Sequence, residues 1–142
     1  MAPLRVVTYN VRHAVLDDGQ DAWDRRRDGV VERLRASDPD VIALQECAGE
    51  QQKELAAALS PYEWVGVAET PGSGEHNPVG IGPRLSLADA TTDWLSESGD
   101  TGSVGWDAAY PRVLTTTLLE DRQTGCALAV YNTHFDHVGT RA

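Results

Sequence analysis

The run Cys126-Ala-Leu-Ala-Val-Tyr-Asn-Thr-His-Phe-Asp-His137 begins as a core strand and ends as a dense polar cluster. Side chains alternate faces in a strand, so Leu128, Val130, Asn132, His134 and Asp136 share one face. Ala129, Tyr131, Thr133 and Phe135 share the other. Two core residues leading in register into an amide, an imidazole and a carboxylate are costly in a structural strand and suit the rim of an active site. Residues 113–119 pair antiparallel with residues 127–133 across the turn Asp121-Arg-Gln-Thr-Gly125.

Working outward, residues 4–11 read as a strand rich in β-branched and aromatic side chains, with Asn10 near its end. Both of its faces are apolar, which predicts burial on both sides. Asp17-Asp18-Gly19 marks a turn, and a helix follows over residues 22–36 with Asp21 as its N-cap and Val30, Val31 and Leu34 as its apolar stripe. Pro39 follows its end. Residues 40–46 form a short apolar strand in which Ile42, Leu44 and Glu46 share a face. A second helix covers residues 50–59, and a strand covers residues 62–67. Residues 72–82 form a Gly- and Pro-rich loop whose Gly72-Ser-Gly74 and Gly80-Ile-Gly82 are too short to indicate nucleotide binding. A further strand lies within residues 84–93, and residues 96–106 form a loop.

This order predicts one α+β domain over residues 1–142, with one mixed, mainly antiparallel sheet and two helices on one of its faces. The two-sided hydrophobicity of the strands asks for a cover on the other face. A second sheet is the obvious cover, and the sequence offers no further segment to build it.

Three strands each end in a polar residue aligned with their core face: Asn10, Glu46 and His134. Asn10 could satisfy a backbone group, Glu46 could cap the following helix, and His134 could be a core histidine. If the three converge, a carboxylate with an amide oxygen suits a hard divalent ion such as Mg²⁺ or Mn²⁺. A histidine beside such an ion suits phosphoryl chemistry. No Cys or His pair has zinc-ligand spacing, and no Gly-x-Ser-x-Gly elbow occurs.

The motifs around these residues resemble those of the endonuclease/exonuclease/phosphatase superfamily of metal-dependent phosphoesterases. They are Thr8-Tyr9-Asn10-Val11-Arg12, Asp38-Pro39-Asp40-Val-Ile-Ala-Leu-Gln45-Glu46 and Tyr131-Asn132-Thr133-His134-Phe-Asp136-His-Val-Gly139. Between them, Trp23 with Arg26, Trp94-Leu-Ser-Glu97 and Gly105-Trp-Asp-Ala-Ala-Tyr-Pro-Arg112 are similar to compact microbial members. The resemblance implies a four-layered α/β/β/α sandwich, of which this chain would be the N-terminal half. It implies Glu46 as the main metal ligand and Asn10 coordinating or orienting the Mg²⁺ or Mn²⁺ and its water. His134 would contact the scissile phosphate, with Asp136 and Arg112 on the substrate side. The substrate class would be phosphate esters, either small molecules or short oligonucleotides.

Two departures qualify that implication. Asn77-Pro78-Val79 runs into Gly80-Ile-Gly-Pro-Arg84, where relatives extend a strand, and Gly and Pro are poor strand residues. The family's second half carries a Gly-Asp-x-Asn motif and a terminal Asp-His pair that supply metal or water contacts and the general base; here Gly99-Asp100 continues Thr-Gly, and no Asp-His pair follows residue 137, Asp136-His137 belonging to the earlier motif. The expectation is therefore a C-terminally truncated domain with little or no activity alone. It would carry an uncovered apolar sheet face that invites a complementary half or self-association. The alternative is a non-catalytic remnant that binds a partner chain through that face.

Composition bounds the rest. Net charge is -10, with one lysine, Lys53, among 12 basic residues, which disfavours non-specific attraction to long nucleic acid. No segment is long and apolar enough for a membrane helix, and the N-terminus has no secretory apolar run, which predicts a cytoplasmic protein. Cys47 and Cys126 read as reduced core thiols. An acidic surface with so little lysine suits concentrated salt, where screening relieves self-repulsion. The thermal unfolding midpoint is expected to rise between dilute buffer and molar NaCl; a flat or falling midpoint would remove the halophilic reading.

Overall fold

Two apolar strands set the centre of the molecule: β1 (Val6–Asn10) lies parallel to β2 (Val41–Gln45), with Val6 opposite Val41 and Asn10 opposite Gln45. A parallel pair needs a crossover, and α1 (Trp23–Ser37) supplies it. α2 (Gly49–Ala58), β3 (Glu63–Val65), β4 (Val79–Ile81), β5 (Leu85–Trp94), β6 (Val113–Asp121) and β7 (Ala127–Thr133) follow. The computed structural model describes residues 3–14, 19–66 and 76–141. Asp17-Asp18 of the expected turn and the Gly72–Gly74 stretch lie outside the described residues.

The α+β class stands, with two helices, but the strands divide into two sheets rather than one. The first has the order β1-β2-β4-β3 and the second β5-β6-β7. Burial alternates strictly along β6, so Val113, Thr115, Thr117, Leu119 and Asp121 face inward. The cover that the first sheet needed is thus made by β5, β6 and β7. Val41, Val79 and Ile81 from the first sheet form a buried cluster with Leu85 and Leu119 from the second, and Leu128 and Val130 pack against it. On the other face, Trp23, Val30, Val31 and Leu34 of α1 and Leu55 of α2 pack with Ile42 and Leu44. Trp23 Nε1 also donates to Glu54 Oε2 at 2.7 Å, tying the helices together. The layers are helices, first sheet and second sheet. The outer face of the second sheet lies open among the described residues, with Leu118 exposed and Tyr131 67% exposed. None of the described helices is long and apolar enough to cross a membrane.

Four local expectations change. β1 is not buried on both sides: Val7 and Tyr9 pack under the helices, whereas Val6 is 56% exposed. β1 is an edge strand among the described residues, and the second sheet contacts β2 through β7 without covering it. Asp21 does not cap α1. It ends a 3-10 turn, Gly19–Asp21, and Ala22 takes the N-cap position with no side-chain cap. Cys126 is exposed, because it precedes β7 at the hairpin turn, beyond the inter-sheet core; Cys47 is buried as expected. Finally, Gly80 sits in a central strand, between Ile42 of β2 and Trp64 of β3.

The Trp64 ring explains that glycine. A Cβ on Gly80 would meet three atoms of the ring at 2.9, 3.0 and 3.1 Å. The aromatic ring lies across the bare backbone and restores the apolar cover that a side chain would give. The far end of the sandwich is fixed by Arg84, whose Nη2 donates to Asp121 Oδ2 at 2.7 Å. That hydrogen bond, with a further one from Gln123 N–H, holds the Asp121 carboxyl down at about 2. Gly80→Ala is expected to displace the Trp64 ring at a cost of about 1–3 kcal/mol. This should appear as a lower urea midpoint at unchanged slope, and an unchanged midpoint would contradict the packing role assigned to Gly80.

Candidate active site

The site forms where β1, β2 and β7 end together. β7 passes over β2 so closely that the Asn132 amide, which is buried, bonds into the first sheet. Asn132 Nδ2 donates to Leu44 O at 2.8 Å and to Pro78 O at 3.0 Å. Its Oδ1 accepts from Gln45 Nε2 at 2.7 Å. Glu46 is the residue after Gln45, and His134 is two residues beyond Asn132. The joint therefore fixes the spacing between them: His134 Nε2 lies 3.7 Å from Glu46 Oε1.

Glu46 does not cap the next helix. Its backbone is left-handed, with φ 53°, a conformation that costs a non-glycine residue about 1–2 kcal/mol. That turn swings the carboxylate back toward β1, where Asn10 Nδ2 donates to Oε1 at 2.8 Å and His13 N–H to Oε2 at 3.3 Å. Burial pulls the Glu46 carboxyl up, but the Asn10 and His13 hydrogen bonds, together with the neighbouring His134 and Arg12, leave it below its usual value. Asn10 Oδ1 accepts from Arg12 N–H at 2.9 Å, so the amide is fixed at both ends. Arg12 is itself left-handed, with φ 57°. The loop that carries it is held by Arg26, which donates to Val11 O and Arg12 O, and by the fully buried Gln51. Gln51 Nε2 donates to Arg12 O, and its Oε1 accepts from Ala14 N–H and Ala48 N–H.

On the opposite side, β7 has ended at Thr133, so His134 and Asp136 belong to the loop that follows. Arg112, next before β6, is 6% exposed and lies between them. Its Nη1 is 3.2 Å from His134 Nδ1 and its Nη2 donates to Asp136 Oδ1 at 3.2 Å. The Asp136 side chain is fully buried, with Oδ2 accepting from Gly139 N–H at 2.7 Å and Val138 N–H at 2.9 Å. The Gly139 bond foremost, against the opposing pull of burial, keeps this carboxyl well below the usual carboxylate range. Tyr110 lies over the Arg112 guanidinium and, with Phe135, is exposed at the rim. Cys47 is adjacent in sequence to Glu46 but is no nucleophile: burial pushes its thiol up to about 12.

The structure thus places all five residues singled out from the sequence in one continuous array: Asn10, Glu46, His134, Arg112 and Asp136. Only Glu46 and His134 of the last four keep appreciable exposure, with side chains 22% and 24% accessible. The sequence reading left out the His13 N–H, Gln51 and the structural part played by Gln45 and Asn132. The His13 contact is made by the backbone and has no sequence signal. Gln45 was legible as the partner of Asn10 in a parallel pair, had the register been known.

The donor set fits a hard cation loosely held. Glu46 uses two of its roughly four acceptor positions, so lone pairs remain. Mg²⁺ commonly takes one or two carboxylates and completes its shell with water and substrate phosphate. Among the described residues no group of three or more His, Cys, Asp or Glu side chains forms a metal cage.

Comparison with known proteins bears on the fold and the family. The solved endonuclease/exonuclease/phosphatase from Bacteroides vulgatus superposes with a TM-score of 0.91 at 33% identity, over 97% of this chain and 54% of that one. A mannosyl-6-phosphatase from Bacteroides thetaiotaomicron gives 0.91 at 31% identity, over 98% and 54%. An uncharacterised protein of Acanthamoeba polyphaga mimivirus is 25% identical over 124 residues, 80% of this chain and 46% of that protein. The chain spans about half the length of these relatives. The sequence profile of the Endonuclease/Exonuclease/phosphatase family matches residues 7–136, and the chain belongs to that family.

Proposed function

We propose that residues 1–142 are the N-terminal part of a divalent-metal-dependent phosphoesterase domain, carrying its metal-holding and phosphate-contacting groups. The observation that supports this most is the Glu46 carboxylate, held by Asn10 and His13 in a left-handed turn and set 3.7 Å from His134 Nε2 across the joint between sheets. A purely structural glutamate has no need of a strained backbone and a buried amide joint to face a histidine.

In this reading Glu46 is the ligand for Mg²⁺ or Mn²⁺, and Asn10 orients it, since its own amide is committed to Glu46 and Arg12. The ion, when bound, supplies charge neutralisation at the phosphoryl oxygens. His134 donates from Nε2–H to a phosphoryl oxygen and stabilises the charge that develops there. The substrate is a phosphate ester, and small esters such as sugar phosphates are favoured over long nucleic acid. The likeness to a mannosyl-6-phosphatase and the net charge of -10 both support that choice.

The general base and the remaining contacts belong to the second part of the domain in this reading. β1 and β7 are edge strands among the described residues, and Val6 and Tyr131 on them are exposed. Those edges are suited to strands from a complementary half. Turnover should be near background for the isolated chain with Mg²⁺ or Mn²⁺ on mannose 6-phosphate and on a short oligonucleotide. It should rise when the chain is co-expressed with the C-terminal half of a relative, and Glu46→Gln should lower that gain by 10²-fold or more. Robust hydrolysis by the isolated chain would overturn the half-domain reading. A complemented pair that forms but whose activity ignores Glu46 would overturn the phosphoesterase site.

A further inference from the structure

Resting on the phosphoesterase reading, we propose that Arg112 and Asp136 are positioning residues that fix the tautomer and orientation of His134, rather than contacts to substrate. Burial is the first reason. Arg112 is 6% exposed and the Asp136 side chain is fully buried, so both present far less surface to a ligand at the rim than His134 does. His134, by contrast, keeps about a quarter of its side chain accessible, beside Glu46.

The second reason is donor and acceptor logic. A guanidinium only donates, so the Arg112 Nη1 contact with His134 Nδ1 at 3.2 Å requires a lone pair on Nδ1. The proton of the neutral ring then sits on Nε2, the nitrogen that faces Glu46 and the open side. His134 is thereby set as a hydrogen-bond donor toward the site, with its other nitrogen already used. That geometry suits a group that contacts a phosphoryl oxygen and does not suit a general base.

The third reason is anchoring. Arg112 can act this way only if its own orientation is fixed. Asp136 provides that: Oδ1 accepts from Arg112 Nη2, while Oδ2 is held by the Val138 and Gly139 N–H groups. The order of dependence runs from the loop backbone to Asp136, to Arg112, to the His134 ring. It parallels the way outer hydrogen bonds select the working nitrogen of a metal-bound histidine.

The test uses the ¹⁵N-labelled chain alone, without metal or substrate, and reads the ring nitrogens of His134 by long-range ¹H–¹⁵N correlation. His134→Gln identifies the signals by their loss. The expected spectrum shows Nδ1 bare and Nε2 protonated, with Arg112 guanidinium protons resolved and protected from exchange. Arg112→Met should move both ring nitrogens toward the averaged values of a tautomer mixture. Asp136→Asn should shift them in the same direction by less, and remove the protection at Arg112. A protonated Nδ1 in the unmodified chain overturns the proposal, whether or not any variant folds. So does a His134 spectrum that is the same in the unmodified chain and in folded Arg112→Met. If near-UV circular dichroism shows Arg112→Met unfolded, Asp136→Asn makes the comparison, and an unshifted ring there overturns it equally. Because no phosphate ester or ion is present, loss of the phosphoesterase reading would leave this result unaffected, and the reverse holds as well.

Discussion

Everything at the site depends on one buried amide. Asn132 crosses from the second sheet to the first and satisfies Leu44 O, Pro78 O and Gln45 Nε2 in a single side chain. Each such bond contributes about 1 kcal/mol net, and an orphaned buried partner costs about 1–3 kcal/mol. The apolar packing of Val79, Ile81 and Leu119 drives the sheets together but does not specify register, because hydrophobic burial is non-directional. The amide does specify it. Its position determines which residue of β7 lies over the end of β2, and so where His134 stands relative to Glu46.

The second constraint is local strain held in place by polar contacts. Glu46 and Arg12 both adopt left-handed backbones, with φ 53° and 57°, on the two chain segments that leave the parallel pair. Such strain of about 1–3 kcal/mol per residue persists only where neighbours over-determine it. Here the neighbours are Gln51, Arg26 and Asn10, each of which bonds to one of those turns. Across the site, Asp136, Arg112 and His134 are linked by a chain of polar contacts without that backbone strain. Two rigid arrays, one from each sheet, face each other across the Glu46–His134 gap of 3.7 Å.

The sequence makes the parts legible better than the assembly. Asn10, Glu46 and His134 stand out because each closes a largely apolar run, and the structure brings all three together, although Asn10 shares the exposed face of β1 with Val6 and Thr8. The helices also follow from their apolar stripes, with Val30, Val31 and Leu34 buried as the period requires. What the sequence hides is long-range. Gly80 reads as a breaker because the Trp64 ring that covers it lies on another strand. The split into two sheets is hidden because period-2 alternation reports only that a strand has two faces, not which sheet it joins. Cys126 looks buried from its apolar neighbours, but its place at the hairpin turn exposes it. Arg112 carries a charge that suggests a substrate contact, and its burial beside His134 has no signal in the sequence.

The central claim is that side chains from two sheets, Glu46 from the first and His134 from the second, make one divalent-ion and phosphate site. The most direct measurement is paramagnetic line broadening of the labelled chain by sub-stoichiometric Mn²⁺. The account predicts that Asn10, Glu46 and His134 broaden together at the lowest ion concentrations, and that Glu46→Gln abolishes the effect at all three. Broadening spread over the acidic surface, or broadening at His134 that survives Glu46→Gln, would contradict it.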